Sequence, residues 1–112
     1  MAWYPTGVAL GAFPSGSMRE VHVAQSSVLL VRIAEAVRAV EAICPHAGGI
    51  LADGTLSGSR VMCPVHGATF DALTGRVLTD PDGIEPPEGG VSSLQAYPTR
   101  VVDGLVEVEF PD

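Results

Sequence analysis

The sequence predicts an all-β fold, a sandwich or barrel of short antiparallel strands. Apolar and polar residues alternate in several short runs, as in strands with one buried face. The 112 residues include 13 glycines and 9 prolines, more than average usage, which indicates many turns between short elements. An Asp-Gly pair also stands between two apolar runs near the C-terminus, a strong signal for a tight hairpin. The length suits one domain, and we expect residues 1–112 to form it.

The first strands are predicted from "REVHVAQ" and the run that follows it. Val21 and Val23 share one face of the first strand, whereas His22 points the other way. A lone histidine on the polar face of a strand indicates a surface residue rather than a metal ligand. The next run, "SSVLLVRI", has the length of a strand and is almost wholly apolar.

Residues 33–43, "IAEAVRAVEAI", support two structures. Ile33, Val37 and Val40 lie at helical spacing, and the segment is rich in Ala, Glu and Arg, which favour a helix. The alternative is a hairpin that turns near residues 34–36, with a second strand over residues 37–43. The residues by themselves leave both structures open.

The C-terminal segment predicts a β-hairpin. Asp103-Gly104 forms its turn, and Val106, Val108 and Phe110 alternate with glutamates, so one face is buried and the other is wet. Before it, residues 79–90 are composed of Pro, Gly and acidic residues, which predicts a loop.

The charge balance limits the partners. The net charge is −7 and all six basic residues are Arg, so the surface would repel nucleic acid phosphates and anionic lipid, whereas a basic protein surface would complement it. No apolar run approaches the roughly 18 residues of a membrane span, and the N-terminus does not resemble a signal peptide. We therefore expect a cytoplasmic monomer that contacts neither membrane nor nucleic acid.

Two short segments hold both cysteines and two of the three histidines. These are Cys44-Pro45-His46 and Cys63-Pro64-Val65-His66, and in the reducing cytoplasm such cysteines are more often ligands or spectators than a disulfide. Thiolate and neutral imidazole are ligands of zinc and of some iron–sulfur clusters. Four such ligands fit either one structural zinc ion or a [2Fe–2S] cluster with two Cys on one iron and two His on the other. The spacing alone does not separate these two sites.

The residues around these two segments carry a resemblance to a known family, and this resemblance separates the two kinds of site. The two ligand segments and "CPVHGATFDALTGRV" strongly resemble the Rieske ferredoxins of bacterial ring-hydroxylating dioxygenase systems. The resemblance implies one Rieske-type [2Fe–2S] cluster, with Cys44 and Cys63 on the inner iron and His46 and His66 on the outer one. It also implies a Rieske fold, in which a cluster-binding subdomain at about residues 43–79 is inserted into an antiparallel β base. Because such domains enter the first ligand loop from a hairpin, it favours strands over residues 33–43, although this chain has Ala34-Glu35-Ala36 where the family usually has glycine.

Residues that differ from those of the respiratory Rieske proteins predict a low reduction potential. Those proteins carry two further cysteines, bonded together, where this chain has Gly49 and Val65, and hydrogen-bonding Ser and Tyr where it has Ala68 and Phe70. Hydrogen bonds to the cluster favour its reduced state, so their loss lowers the potential. We expect a value near the low end of the Rieske range, roughly −150 mV.

The resemblance implies an electron carrier and not an enzyme. It would take single electrons from an NAD(P)H-dependent flavoprotein reductase and pass them to the terminal oxygenase of an aromatic ring-hydroxylating dioxygenase. The chain lacks the second iron site of an oxygenase, since only His22 is left after ligation. The alternative is the small Rieske subunit of an assimilatory nitrite reductase. The acidic residues of the 79–90 loop could steer a basic partner; they are Asp80, Asp82, Glu85 and Glu88.

Overall fold

In the computed structural model, residues 2–45, 48–65, 67–79 and 93–110 are described, and they form three antiparallel sheets. The strands are β1 (Ala2–Ala9), β2 (Met18–Val23), β3 (Ser26–Ile33), β4 (Ala36–Glu41), β5 (Thr55–Ser57), β6 (Arg60–Met62), β7 (Thr69–Asp71), β8 (Val77–Thr79), β9 (Ala96–Tyr97), β10 (Thr99–Val102) and β11 (Leu105–Phe110). Within these ranges there is no α-helix, and the helical residues are two short 3-10 turns, Leu10–Ala12 and Leu51–Asp53. The predicted all-β fold is confirmed.

The strands are ordered β1-β11-β10, β2-β3-β4-β9 and β5-β6-β7-β8. One core contains Val106 and Val108 of the first sheet and Leu30 of the second. A second core contains Leu29 of the second sheet and Phe70 of the third. The described strands do not close into a barrel, so the base is a sandwich rather than the barrel that the pattern also allowed.

Strand β3 is buried on both faces because it belongs to both cores. Its central residues, Val28 to Val31, are fully inaccessible to solvent, which explains why its sequence shows a continuous apolar run rather than alternation. In β2, Val21 and Val23 are buried whereas His22 is exposed, as predicted. His22 pairs through Nδ1 with the Ser27 hydroxyl at 3.1 Å.

Residues 33–43 form a hairpin and not a helix. Strands β3 and β4 pair from Val28↔Glu41 to Ile33↔Ala36. Val37 packs in the core between the first two sheets, whereas Val40 packs in the other core, so residues that would share one helical face lie on opposite faces of β4. The strand structure implied by the resemblance is confirmed, and the helix favoured by local propensity is wrong because pairing and burial decide here.

The turn of this hairpin forms without a glycine. Ala34 has a φ of +53°, in the left-handed region that favours glycine. Its N–H bonds to the Ser15 hydroxyl at 3.0 Å, and its carbonyl accepts the Arg32 Nε–H at 2.6 Å. The Arg32 guanidinium also donates to the carbonyls of Leu10 and Phe13, at 3.0 and 3.1 Å. Arg32 therefore joins the N-terminal turn to the hairpin and holds the strained residue in place.

The C-terminal hairpin lies where the sequence predicts it. Val102 pairs with Leu105 across Asp103 and Gly104, whose φ angles are +52° and +79°, as a two-residue turn between twisted strands requires. Of the predicted 79–90 loop, Thr79 ends β8 and residues 80–90 lie outside the described part of the chain.

Candidate metal centre

The two cysteines open two loops of the same construction. In the first loop the Cys44 N–H donates to the Gly49 carbonyl at 2.9 Å, and the Gly48 N–H donates to the Cys44 carbonyl at 2.9 Å. In the second loop the Cys63 N–H donates to the Ala68 carbonyl at 2.8 Å, and the Gly67 N–H donates to the Cys63 carbonyl at 3.1 Å. Each cysteine is thus held by its own backbone N–H and C=O groups. These bonds fix where each side chain starts.

The loop glycines are required by the backbone. Gly48 has a φ of +68° and Gly67 a φ of +84°, values that glycine adopts without the steric penalty of a side chain. Each lies four residues after its cysteine, at the point where the loop turns back. The matching positions show that the two loops share one turn geometry despite their different spacing, Cys-x-His and Cys-x-x-His.

The residues flanking the loops are also equivalent. Ile43 and Ile50, on either side of the first loop, form an isolated antiparallel bridge. Met62 and Thr69, on either side of the second loop, pair across β6 and β7. Each loop therefore lies at the tip of a two-stranded element, and four positions surround the loops in equivalent places.

The two loops contact each other at Gly49. A Cβ atom built there would lie 2.7 Å from Val65 Cγ2 and 2.8 Å from Cys63 Sγ, closer than atoms pack without displacement. Only a glycine lets the backbone of the first loop lie against the second cysteine. The close approach also shows that Gly49 and Val65, where the respiratory proteins have a disulfide, are neighbours here.

Both thiols lie in the dry core beneath the loops. Cys44 and Cys63 are each 1% exposed, are not joined in a disulfide, and belong to the core that contains Phe70. The two histidines predicted to complete the site, His46 and His66, lie outside the described residues. The structure thus brings two of the four predicted ligands into one core, at the tips of two touching loops.

These residues fit a [2Fe–2S] cluster. Cysteine thiolates are the usual ligands of such clusters. The two thiols here lie in the interior, and Gly49, which lies against Cys63, has no side chain. Within the described ranges no group of three His, Cys, Asp or Glu side chains could hold a single metal ion.

Exposed apolar residues lie next to and within the loops, and sequence reasoning missed them. We define the apolar rim as Ile43, Ile50, Met62 and Val65, which are 42–51% exposed. Three of them flank the ligand loops and the fourth lies between Cys63 and His66. Exposed apolar side chains grouped in this way indicate a contact surface. The available signal was the position of large apolar residues within or next to loops rich in Gly and Pro.

The sites of the missing hydroxyls are buried. Ala68 and Phe70 are 1% and 0% exposed and lie in the same core as the two cysteines. Between them Thr69 points to the other face of β7, where its hydroxyl pairs with that of Thr79 at 2.6 Å. Sequence reasoning did not single out this hydroxyl pair, because nothing in the sequence places the two strands in register.

The pKa of one tyrosine in the base, Tyr97, is raised. Burial raises the pKa of Tyr97 above 10.0, and the negative charge of Glu41 raises it further. The Tyr97 ring contacts Phe110, with ring centroids 4.7 Å apart. Tyr97 belongs to the base sheets and not to the ligand loops.

Comparison with known proteins decides the family. The model of the Rieske [2Fe-2S] domain matches residues 2–98. The chain belongs to the Rieske [2Fe-2S] domain family. The expected Rieske fold and Rieske-type [2Fe–2S] cofactor are confirmed at the level of the family.

Several similar proteins are ferredoxin components of dioxygenase systems. The chain is 29% identical to the naphthalene 1,2-dioxygenase system ferredoxin component of Pseudomonas aeruginosa, over 92% of this chain and 91% of that protein. It is 30% identical to the anthranilate 1,2-dioxygenase ferredoxin subunit of Burkholderia cepacia, over 95% of this chain and 90% of that subunit. Among solved structures, a chain in the complex of reduced oxygenase and oxidized ferredoxin of carbazole 1,9a-dioxygenase is 27% identical, with a TM-score of 0.79 over 95% of this chain and 91% of that one. In the part of this chain that the structure describes, no helix is long and apolar enough to span a membrane.

Proposed function

We propose that this Rieske protein is the ferredoxin component of an aromatic ring-hydroxylating dioxygenase system. It carries one electron at a time from an NAD(P)H-dependent flavoprotein reductase to the terminal oxygenase, in the cytoplasm, and catalyses no reaction by itself. The observation that carries the proposal is the pair of matched cysteine loops with an exposed apolar rim next to and within them. The similarity to ferredoxin components over nine-tenths of their length supports it.

In this proposal Cys44, His46, Cys63 and His66 hold one [2Fe–2S] cluster, with the cysteines on one iron and the histidines on the other. The cluster supplies a site that accepts and releases a single electron. The chain keeps the two thiolates in a dry interior and fixes their backbone through the loop hydrogen bonds. The subdomain that holds the cluster comprises about residues 43–79, with β5 to β8 as its sheet.

The apolar rim suits a carrier with two successive partners. Its residues lie next to or within the ligand loops, so a protein that covers the rim comes close to the cluster. Apolar contact needs no fixed charge pairs, which lets one surface meet both the reductase and the oxygenase in turn. The net charge of −7 acts over longer distances and steers a basic partner surface toward this contact.

A matched pair of charge substitutions tests the contact. Ile50 and Leu105 are both 46% exposed, but Ile50 belongs to the rim and Leu105 lies in the C-terminal hairpin. Ile50→Glu places a charge in the buried contact, and we expect it to slow electron transfer to the oxygenase by about tenfold or more. Leu105→Glu should leave the rate unchanged.

Stopped-flow reduction of a purified terminal oxygenase by the reduced ferredoxin measures both rates. Equal rates for the two variants would exclude the rim as the contact surface. The rate for the unsubstituted protein should fall with added salt, because steering by net charge is screened. In a reconstituted system, NAD(P)H-driven turnover at full rate without this protein would remove the carrier role.

A further inference from the structure

One of the four positions that flank the ligand loops differs from the other three. Ile43, Ile50 and Met62 are large, apolar and 42–46% exposed, whereas Thr69 is polar and only 3% exposed. Among the described residues, Thr69 is the one buried residue with a polar side chain. Since the two loops otherwise match in their hydrogen bonds and turns, this exception needs its own explanation.

The partner of Thr69 is supplied by an irregularity in the sheet. Phe70 pairs with Val77, so a regular antiparallel ladder would place Leu78 opposite Thr69. Instead the register shifts by one residue, and Thr79 lies opposite Thr69. The shift brings the two hydroxyls to 2.6 Å. Bulges commonly redirect a side chain next to a functional site, and here the bulge supplies the hydroxyl that a buried threonine requires.

The pair makes the second ligand loop more firmly held than the first. The strand that leaves the second loop, β7, pairs with β6 on one side and β8 on the other, and the hydroxyl bond joins it to β8 at its first residue. The first loop is closed by the single bridge between Ile43 and Ile50. Thr69 follows Ala68, whose carbonyl accepts the Cys63 N–H, so fixing Thr69 fixes the end of the loop.

We infer that the Thr69–Thr79 hydroxyl pair is a positioning device that sets the geometry of the second ligand loop around the cluster. Thr69 faces away from the core that holds the cysteines, so it acts through the backbone of the loop and not as a donor to the cluster. The inference rests on the proposed function, because it requires that the loop bind the cluster. It adds two residues that the ligand pattern does not contain.

Three substitutions and one control test it. Thr69→Val and Thr79→Val each remove one hydroxyl at nearly constant volume, and Thr69→Ser keeps the hydroxyl. Thr55→Val is the matched control, because Thr55 pairs with Met62 from the neighbouring strand but is exposed. For each protein we would record the electron paramagnetic resonance spectrum of the reduced state and the rate at which a chelator removes iron.

We expect a changed spectrum for both valine variants and iron loss that is faster by about fivefold, the factor that one hydrogen bond gives. Thr69→Ser and Thr55→Val should match the unsubstituted protein. In the double valine variant no hydroxyl is left buried without a partner, so the melting temperature should partly recover while the changed spectrum persists.

Valine variants that melt at a lower temperature but keep the spectrum and the iron-loss rate would overturn the inference, since the pair would then be structural only. Thr79 is half-buried, so Thr79→Val still distinguishes a positioning role from a purely structural one if Thr69→Val does not fold. An unsubstituted protein that binds no iron would instead contradict the proposed function, so the two failures are distinguishable.

Discussion

Phe70→Tyr tests why the cluster should have a low potential. Phe70 is fully buried in the core that contains both cysteines, so a hydroxyl added to its ring has no water to bond. We expect it to donate to the cluster; the alternative outcome is a buried hydroxyl without a partner. A hydrogen bond is worth about 1 kcal/mol or somewhat more toward a charged group, and about 1.4 kcal/mol equals roughly 60 mV for one electron. We therefore expect the potential to rise by roughly 40–60 mV.

The two outcomes differ in stability as well as in potential. A hydroxyl left buried without a partner would lower the free energy of unfolding by about 1–3 kcal/mol, which lowers the melting temperature by about 4 °C or more. Phe13→Tyr is the control, because Phe13 is 3% exposed but lies in the other core. It should destabilise the protein without moving the potential.

Protein-film voltammetry and thermal unfolding of the two variants decide the matter. The reasoning is refuted if Phe70→Tyr leaves the potential within about 10 mV of its starting value, well below the hydrogen-bond estimate. Ala68→Ser gives a second, smaller probe of the same core, and we expect its shift to have the same sign.

Three further predictions follow from the contacts described above. Gly49→Ala places a methyl group 2.8 Å from Cys63 Sγ, so it should destabilise the protein by about 1–3 kcal/mol and speed up iron loss. Gly11→Ala should do neither, because a Cβ added there meets nothing within 4 Å. Arg32→Leu should lower the free energy of unfolding by about 2 kcal/mol or more in urea titrations, because the carbonyls of Leu10, Phe13 and Ala34 lose the hydrogen bonds that the Arg32 guanidinium donates. An unchanged midpoint would contradict this. The raised pKa of Tyr97 means that the unfolded chain gives up this proton first, so stability is retained below about pH 10 and falls above it. Tyr97→Phe should flatten this alkaline decline, and an equally steep decline in the variant would exclude Tyr97 as its cause.

The sequence predicts those parts of the fold whose signal is local. The Asp103-Gly104 turn is confirmed because two residues at positive φ make a tight hairpin whatever surrounds them. The alternation at Val21 and Val23 is confirmed because each strand face meets a different environment. Local propensity fails at Val37 and Val40, which belong to different cores. Burial by distant strands decides that segment, and only the resemblance to a known family carried that information.

The candidate site divides in the same way. Cys44 and Cys63 were predicted from their spacing, and the structure places both thiols in one core; His46 and His66 remain predictions. The contact of Gly49 with the second loop and the pairing of Thr69 with Thr79 could not be predicted. Both depend on how two loops or two strands lie against each other, which a linear pattern does not contain.

Electron paramagnetic resonance of the anaerobically purified protein tests the central claim most directly. A protein that binds one Rieske cluster through two cysteines and two histidines, and so carries single electrons, should be silent when oxidised. After reduction it should give a rhombic signal of about one spin per chain, with about two irons and two labile sulfides. Stoichiometric zinc without iron, or no signal on reduction, would contradict the account.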